Sequence, residues 1–298
     1  MYLSIVLINC NGGPYLEDCL RSIYSDSSAE KMAFEVVVVD NGSEDKSTAI
    51  VKESFPDVRL VENGHNEGFA KANNKGIRAS TGRYVLCLNN DTVVLPGALG
   101  ILTDFMDHHP DVGACGPKVL NRDGTIQHQC KRGFPTPMSA AYYFMRLHKV
   151  FPKSKRFGHY LMTYVNCDEI NEVDTVSGAC MMVRREVIDQ LGLMDEDYKM
   201  YGEDVDWCYR IKKAGWKTYY VPQARIVHYG GQTSSRIRPY RNIWEFHRSM
   251  VVFYKKHYSA NHNFFINSLI YAGIHVKAMI NLGVNLLRKE KVVGSKKP

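Results

Sequence analysis

Three acidic residues occur within four positions, at Glu203, Asp204 and Asp206. The sequence predicts a helix from about residue 203 to Ala214, closed by Gly215, so the acids crowd its first turn, where the helix dipole tolerates negative charge. Repulsion between like charges can raise the pKa of one carboxyl group toward a value that suits proton transfer. The cluster therefore predicts a general base, with ordinary N-terminal helix acidity as the alternative.

A second polar cluster has the chemistry of a cation site. Asn89, Asn90 and Asp91 follow a predicted strand over residues 84–88, and a carboxylate there could bind Mg²⁺ or Mn²⁺, which prefer oxygen ligands. The imidazole of His228 could complete the metal shell, and the polar loop 230–234 could fold over a diphosphate. A polar turn and a surface histidine are the alternatives.

Asp40 follows four consecutive valines, which predict a strand that ends at this residue. Its carboxylate could accept the imide N–H of uracil or thymine, or it could cap the turn that follows. Sugar transfer from a nucleotide diphosphate needs a site for the base, a cation for the departing diphosphate and a carboxylate for the acceptor's proton. The three clusters offer a candidate for each.

The elements that must position these residues are short. Apolar, β-branched runs at 3–8, 34–39, 58–61 and 84–88 alternate with segments of helical spacing, and a strand over 217–221 and a strand-like pair at 226–227 precede His228. This alternation predicts an α/β fold with a mostly parallel, Rossmann-like sheet and helices on both faces. Ligands bind such sheets at the carboxyl ends of the strands, where the polar clusters occur.

Composition limits the cellular setting. The 298 residues include eight cysteines without a C-x-x-C pair, which favours reduced core cysteines in a cytoplasmic protein and argues against a zinc site. The N-terminal apolar run lacks a basic flank and predicts a strand instead of a signal peptide. No G-x-G-x-x-G follows a predicted strand, which argues against a nicotinamide dehydrogenase.

Two parts of the chain differ from the regular α/β pattern. Residues 118–172 lack a regular spacing of apolar residues and are interpreted as an acceptor-facing region or a mobile loop. Residues 236–298 hold 12 Lys or Arg against Glu245 and Glu290. The sequence therefore predicts a catalytic domain over 1–235 and a basic, helical extension over 236–298. The charge of the extension favours an anionic surface, either phospholipid headgroups or nucleic acid, and contact with an anionic membrane and no nucleic acid is the interpretation adopted.

Within the extension, residues 263–287 are apolar, but polar side chains recur mostly four residues apart, at 263, 267, 275, 277, 281 and 285. This stripe predicts an amphipathic helix on the inner face of the cell membrane, flanked by the basic residues Arg288, Lys289 and Lys291. A helix packed on the catalytic domain and a true membrane span are the alternatives.

Taken together, the segments closely resemble the family-2 inverting glycosyltransferases with the glycosyltransferase-A fold, particularly the rhamnosyltransferase branch. The resemblance covers roughly residues 1–235. The matching segments, which are specific by their order and spacing, are 4–12, 38–45, 66–74, 88–92, 177–179, 194–196 and 201–208, followed by 214–216 and His228.

The resemblance implies a role for individual residues. Asp204 aligns with the catalytic base and Glu203 is its nearest rival, while Asp91 and His228 hold Mg²⁺ or Mn²⁺. Asn89-Asn90-Asp91 stands where the family has Asp-x-Asp. The implied nucleotide-binding residues are Asn9, Asn11, Asp40, Gly68, Lys71, Asn73 and Asn90. The implied acceptor or sugar contacts are Ser177, Gly178, Ala179, Asp206 and Trp207.

The implied reaction is a metal-assisted single displacement that inverts the anomeric configuration. The donor expected for this branch is dTDP-rhamnose and the acceptor a polysaccharide or lipid-linked glycan. A UDP-hexose donor and a non-catalytic nucleotide-sugar-binding module are the alternatives.

Overall fold

The computed structural model describes residues 1–28, 32–230 and 239–287. Most of the predicted diphosphate loop (231–234), the boundary predicted after residue 235, and the basic residues Arg288, Lys289 and Lys291 lie outside the described residues. The division into two domains therefore stays a prediction.

The strands are β1 (Leu3–Asn9), β2 (Phe34–Asp40), β3 (Arg59–Glu62), β4 (Tyr84–Asn89), β5 (Thr92–Val94), β6 (Val112–Leu120), β7 (Lys131–Arg132), β8 (Asn171–Glu172), β9 (Thr175–Val176), β10 (Cys180–Arg184) and β11 (Lys217–His228). The helices are α1 (Gly13–Tyr24), α2 (Ser47–Ser54), α3 (Phe69–Ala79), α4 (Ala98–His108), α5 (Pro137–Phe144), α6 (Leu147–Val150), α7 (Arg185–Leu191), α8 (Glu203–Lys213), α9 (Pro239–His257) and α10 (Phe264–Leu287).

Nine strands of the described residues form one sheet, in the order β3-β2-β1-β4-β10-β6-β11-β5 with β8 beside β11. The half β3-β2-β1-β4 is parallel, whereas β10 runs antiparallel between β4 and β6. The α/β prediction is confirmed. In the register, Asn9 lies opposite Asp40 and Ile8 lies opposite Asn89, so the polar ends of three strands meet at one edge.

The two strand-like segments before His228 form a single strand, β11. Its pairing with β6 shifts between Val221 and Arg225, next to Pro222, which has no N–H to donate to the ladder. Beyond this irregularity β11 continues and pairs with β5, placing His228 opposite Thr92. This extension brings the predicted histidine to the end of β4 and its polar cluster.

Most of the cysteines lie in the protein core. All eight are free, and six are buried. Burial raises the pKa of the thiols of Cys19, Cys87 and Cys208 to about 12. These thiols are therefore protonated and unreactive at neutral pH, as expected of small apolar core residues.

Helix α9 attaches the C-terminal segment to helix α8, which carries the acidic cluster. His257 Nε2 lies 2.7 Å from Asp206 Oδ1, and Arg248 donates to the Asp197 carbonyl at 3.0 Å. Helix α10 then packs on α9. Polar contacts from the middle and the end of α9 thus reach α8, which carries the acidic cluster, and the loop before it.

Candidate active site

A chain of amides joins the three strand ends. Asn90 Nδ2 donates to Asn9 Oδ1 at 2.7 Å, and Asn9 Nδ2 donates to Asp40 Oδ1 at 3.0 Å. The second Asp40 oxygen accepts the backbone N–H of Ser43 at 3.0 Å, so Asp40 also fixes the turn after β2. Each carboxylate oxygen has two lone pairs, so Asp40 keeps the capacity to accept the N–H of a base.

Gly12 makes this amide chain sterically feasible. A Cβ at Gly12 would lie 2.2 Å from both Asn9 Oδ1 and Asn90 Nδ2, a separation that no real side chain tolerates. The sequence analysis did not single out Gly12 as a site residue. The signal was its place at the end of the segment 4–12, directly after Asn9-Cys10-Asn11, because glycine is the residue that permits close approach of backbone to other groups.

The remaining predicted nucleotide residues fall into two places. Asn11 Oδ1 accepts the backbone N–H of Glu44 at 2.8 Å and thereby holds the turn after β2. Gly68, Lys71 and Asn73 lie at the start of α3, on the other side of that turn, with Asn73 buried and Lys71 exposed. Nucleotide contact by these residues stays a prediction.

The predicted metal residues come together between β4 and β11. Asp91 Oδ1 lies 3.2 Å from His228 Nε2, and Asn89 Nδ2 lies 3.3 Å from the same nitrogen. His228 Nδ1 is 3.0 Å from Gln127 Oε1; in a neutral imidazole, donation of a hydrogen bond from Nδ1 to this oxygen leaves Nε2 as an acceptor. Two acceptors, Nε2 and a carboxylate oxygen, then face each other, an arrangement that a cation between them stabilises.

The donor set fits a hard divalent cation. Asn89 Oδ1 is buried without a hydrogen-bond partner, so a third ligand atom is available beside Asp91 and His228. Two ligands at right angles around an ion bound at 2.0–2.1 Å lie about 3 Å apart, close to the Asp91–His228 separation. Among the residues that the structure describes, no group of three or more His, Cys, Asp or Glu could hold a metal. Such an ion would therefore rely on amide, water and substrate oxygens as well, as Mg²⁺ commonly does.

Asp204 is held by donors on both oxygens. Arg132 Nη2 lies 2.5 Å from Asp204 Oδ2, which also accepts the Gly178 N–H at 3.0 Å, and Asp204 Oδ1 accepts the Val205 N–H at 2.8 Å. Positively polarised groups therefore surround a carboxylate at the start of α8. Arg132 was missed by the sequence analysis, which treated its segment as irregular; the pairing of β7 with β9 brings it to Asp204.

Glu203, the rival base, has a different environment. Its side chain is buried, and Oε2 has no hydrogen-bond partner. Burial raises the pKa of Glu203 to about 8, and the negative charge of Asp204 adds to the rise. The predicted pKa elevation therefore occurs at Glu203, with burial as its larger cause, and Glu203 is protonated at neutral pH. Asp204 is therefore the better candidate for a proton acceptor of the pair.

We expect Glu203→Gln to remove a pH-dependent loss of stability. In the folded protein the pKa of Glu203 is about 8, above its ordinary value of 4.5. The stability that the protonated Glu203 carboxyl group contributes is therefore fully present below pH 4.5 and is lost as the pH rises through 8. Over this window the wild type should lose stability on the order of a few kcal/mol relative to the variant, which cannot ionise. Thermal unfolding of both proteins from pH 5 to 9 tests this, and parallel pH profiles would contradict it.

The predicted acceptor residues divide into a linking segment and a packed pair. Residues 177–179 join the two halves of the site, because Gly178 donates to Asp204 and the Ala179 carbonyl accepts the Asn89 N–H at 3.0 Å. Asp206 is buried and bound by Arg210, Tyr198 and His257.

Trp207 is fully buried and donates Nε1–H to the Gly192 carbonyl at 3.1 Å. The structure thus gives Asp206 and Trp207 packing roles. Sugar or acceptor contact by Ser177, Gly178, Ala179, Asp206 and Trp207 stays a prediction.

A cleft of about 500 Å³ opens beside the Arg132 strand, within the region predicted to face an acceptor. It lies between α5 and the segment 155–159, and Gly133, next to Arg132, donates its N–H to the Tyr160 carbonyl at 3.0 Å. Three of its side chains carry or can acquire positive charge. Its polar lining consists of Thr136, Ser139, Tyr142, Lys155, Arg156 and His159.

Known proteins resemble the chain over most of its length. Residues 4–192 match the family model described as Glycosyl transferase family 2. The N-acetylglucosaminyl-diphospho-decaprenol L-rhamnosyltransferase of Mycobacterium tuberculosis is 31% identical over 263 residues, covering 84% of this chain and 83% of the relative. The O-antigen biosynthesis protein RfbC of Myxococcus xanthus is 33% identical over 219 residues, covering 71% of this chain and 16% of that protein.

Solved structures share the fold. The mannosyltransferase PcManGT from Pyrobaculum calidifontis, in complex with GDP-Man and Mn²⁺, matches with a TM-score of 0.58 at 18% identity, covering 99% of this chain and 76% of that one. S. aureus TarS 1-349 matches with a TM-score of 0.57 at 16% identity, covering 97% of this chain and 76% of that one. At these identities the likeness concerns the fold alone.

Proposed function

Because the chain belongs to glycosyl transferase family 2 and has the glycosyltransferase-A fold, we propose that this glycosyltransferase moves L-rhamnose from dTDP-rhamnose to a lipid-linked glycan by an inverting single displacement. One observation supports the mechanism: Gly178 donates to Asp204 while Ala179 accepts from Asn89, so two consecutive residues join the candidate base to the candidate metal residues.

In the proposed reaction Asp204 takes the proton from the acceptor hydroxyl as that oxygen attacks the anomeric carbon. The bond from the anomeric carbon to the nucleotide diphosphate breaks in the same step, and the configuration inverts. Arg132 and the Gly178 N–H fix the carboxylate from one side, leaving Oδ1 with a lone pair beyond its bond to Val205. Glu203, protonated at neutral pH, is the weaker candidate for this role.

Asp91, His228 and Asn89 Oδ1 are the residues that would hold Mg²⁺ or Mn²⁺, and the ion would neutralise charge on the departing diphosphate. Two of the structural neighbours were solved with Mn²⁺. Asp40 would accept the imide N–H of the base, and the amides of Asn9 and Asn90 would keep its carboxylate in place.

The donor proposal rests on the relative at 31% identity, whose name specifies L-rhamnosyl transfer. A UDP-hexose is the second candidate donor, since Asp40 would pair with uracil as well as with thymine.

The acceptor we propose is a sugar on a polyprenyl diphosphate. The named relative acts on such a compound, and the cleft beside Arg132 offers Lys155, Arg156 and His159 to an anionic group. An acceptor of this kind stays in a membrane, so we propose that the enzyme works in the cytoplasm, at the inner face of the cell membrane and in peripheral contact with it.

We expect nucleotide-diphosphate release from one member of a panel of dTDP- and UDP-sugars, given a short-chain prenyl-diphosphate N-acetylglucosamine as acceptor. The panel is run with Mg²⁺, Mn²⁺ or EDTA. Metal-dependent release from dTDP-rhamnose supports the proposal, and release from a UDP-hexose alone would replace the donor. Calorimetry with each donor distinguishes a wrong acceptor, where donor still binds, from a wrong donor class, where none binds.

A further inference from the structure

Helix α10 packs against the protein through a mixed face, on which Ile274 and Ala278 are buried beside polar side chains that have partners. Asn267 Nδ2 donates to the Ser259 carbonyl at 3.0 Å, Asn281 Nδ2 lies 3.3 Å from His247 Nε2, and Lys277 Nζ lies 5.2 Å from the centroid of the Phe144 ring. Asn285 is buried. Three residues of the polar stripe therefore have partners on the protein: Asn267 in the turn after α9, Asn281 on α9 and Lys277 on α5.

The opposite side of α10 is apolar and exposed. Its side chains recur at helical spacing, so they form one outward face, and each is more than half exposed. Soluble proteins rarely leave a contiguous apolar surface of this kind uncovered. We call this surface the outer face of α10; its main members are Phe264, Phe265, Leu269, Val276, Met279 and Leu286.

We infer that the outer face of α10 is the surface that seats the enzyme on an anionic lipid bilayer while the polar face stays packed on α9. The sequence offered a membrane-surface helix and a packed helix as alternatives. In this arrangement both hold, because one side of α10 packs on the protein and the other contacts lipid. This inference deepens the proposed function, on which it rests for a membrane-borne acceptor.

Charge favours a bilayer as the occupant. The sequence directly after α10 contains Arg288, Lys289, Lys291, Lys296 and Lys297 against Glu290. Basic residues at the end of an apolar interfacial helix are attracted to anionic headgroups.

The contacts of α10 favour a seat on the bilayer over a span. Within the described residues α10 is a helix long and apolar enough to cross a membrane. A span would move Asn267, Lys277 and Asn281 from their protein partners into hydrocarbon, where polar side chains are costly. A helix lying on the surface keeps all of these contacts.

The contact between Lys277 and Phe144 also places α10 close to α5, which lines the cleft beside Arg132. Phe144 ends α5, whose side chains line the cleft, and the residues that follow α5 include the exposed apolar side chains of Met145, Val150 and Phe151. Apolar groups next to the cleft would let the prenyl chain of an acceptor remain in lipid while its diphosphate reaches the cationic lining.

Flotation of the full chain with liposomes tests this inference. We expect wild type to float with vesicles containing phosphatidylglycerol, and Leu269→Glu/Met279→Glu to reduce the bound fraction at least roughly tenfold by placing charge on the outer face. Ile170→Glu is the control, because it places a glutamate at an exposed apolar residue outside α10. A chain without residues 288–298 should lose its preference for anionic over zwitterionic vesicles.

Three outcomes overturn the inference: no flotation of wild type, equal flotation of the double variant, or resistance to alkaline carbonate extraction, which marks a span. A wild-type dimer in light scattering that the double variant dissociates, without flotation, would assign the outer face to a second copy. Flotation requires no turnover. If wild type floats but no donor of the panel reacts, the proposed reaction alone is contradicted. If the short-chain acceptor is turned over but wild type does not float, the bilayer surface alone is contradicted.

Discussion

Asp204→Asn is expected to lower the rate of sugar transfer by about 10²–10⁴-fold, the usual contribution of a general base, with little change in donor Kd. The amide cannot accept the acceptor's proton, but its oxygen can still accept hydrogen bonds from Arg132 and Gly178. Single-turnover rates with dTDP-rhamnose and acceptor, together with calorimetric donor Kd, measure the two quantities separately.

Glu203→Gln is the matched control for this experiment. It makes the same change from acid to amide at the neighbouring residue, where the carboxyl group is already protonated at neutral pH because its pKa is about 8. We expect Glu203→Gln to retain most of the transfer rate at pH 7. Retained turnover in Asp204→Asn together with loss in Glu203→Gln would move the base role to Glu203.

The second large effect is expected at the metal residues. His228→Ala removes a nitrogen ligand beside Asp91 and should lower the metal-dependent transfer rate by roughly 10²-fold and weaken donor binding in Mn²⁺, since a metal supplies several kcal/mol of charge stabilisation. Asn89→Asp should instead raise the affinity for Mn²⁺. It replaces the amide beside His228 by a second carboxylate, so half-maximal activity should need less Mn²⁺.

Asn90→Asp provides the matched control for Asn89→Asp. The Asn90 amide donates to Asn9 Oδ1, so a carboxylate there would face another acceptor, and we expect lower thermal stability without a gain in metal affinity. Titration of free Mn²⁺ by electron paramagnetic resonance measures the affinities of all variants. Unchanged Mn²⁺ affinity in both His228→Ala and Asn89→Asp would exclude this group as the metal site.

Much of the fold and family could be predicted from sequence. The alternation of β-branched runs and helical spacing predicted the α/β fold, and the ordered motifs predicted a family-2 glycosyltransferase related to rhamnosyltransferases; the structure and comparisons confirm both. Periodicity and turn chemistry are local signals, so these predictions needed no knowledge of long-range contacts.

The convergence of Asn9, Asp40 and Asn90 was also predictable in outline. Parallel strands place their carboxyl ends at the same edge, and residues directly after them must meet there. The exact hydrogen bonds were not predictable, because they depend on the register of β1 with β2 and β4 and on the space left by Gly12.

Tertiary structure decided the environment of the acids. Arg132 is 72 residues from Asp204 in sequence, and Gln127 is 101 residues from His228, so no local pattern links either pair. The pKa of Glu203 depends on burial, which is a property of the packed chain. Asp206, third in the acidic cluster, binds His257 of α9 and has a packing role that its position in the motif did not indicate.

The orientation of α10 on the protein also depended partly on sequence and partly on tertiary structure. Sequence by itself determined that polar and apolar side chains occupy opposite sides of this helix, because the 3.6-residue period is local. Only the tertiary structure decided which side faces the protein. The polar side found partners on α9, and the apolar side was left outward, because buried polar groups need hydrogen bonds that distant parts of the chain must supply.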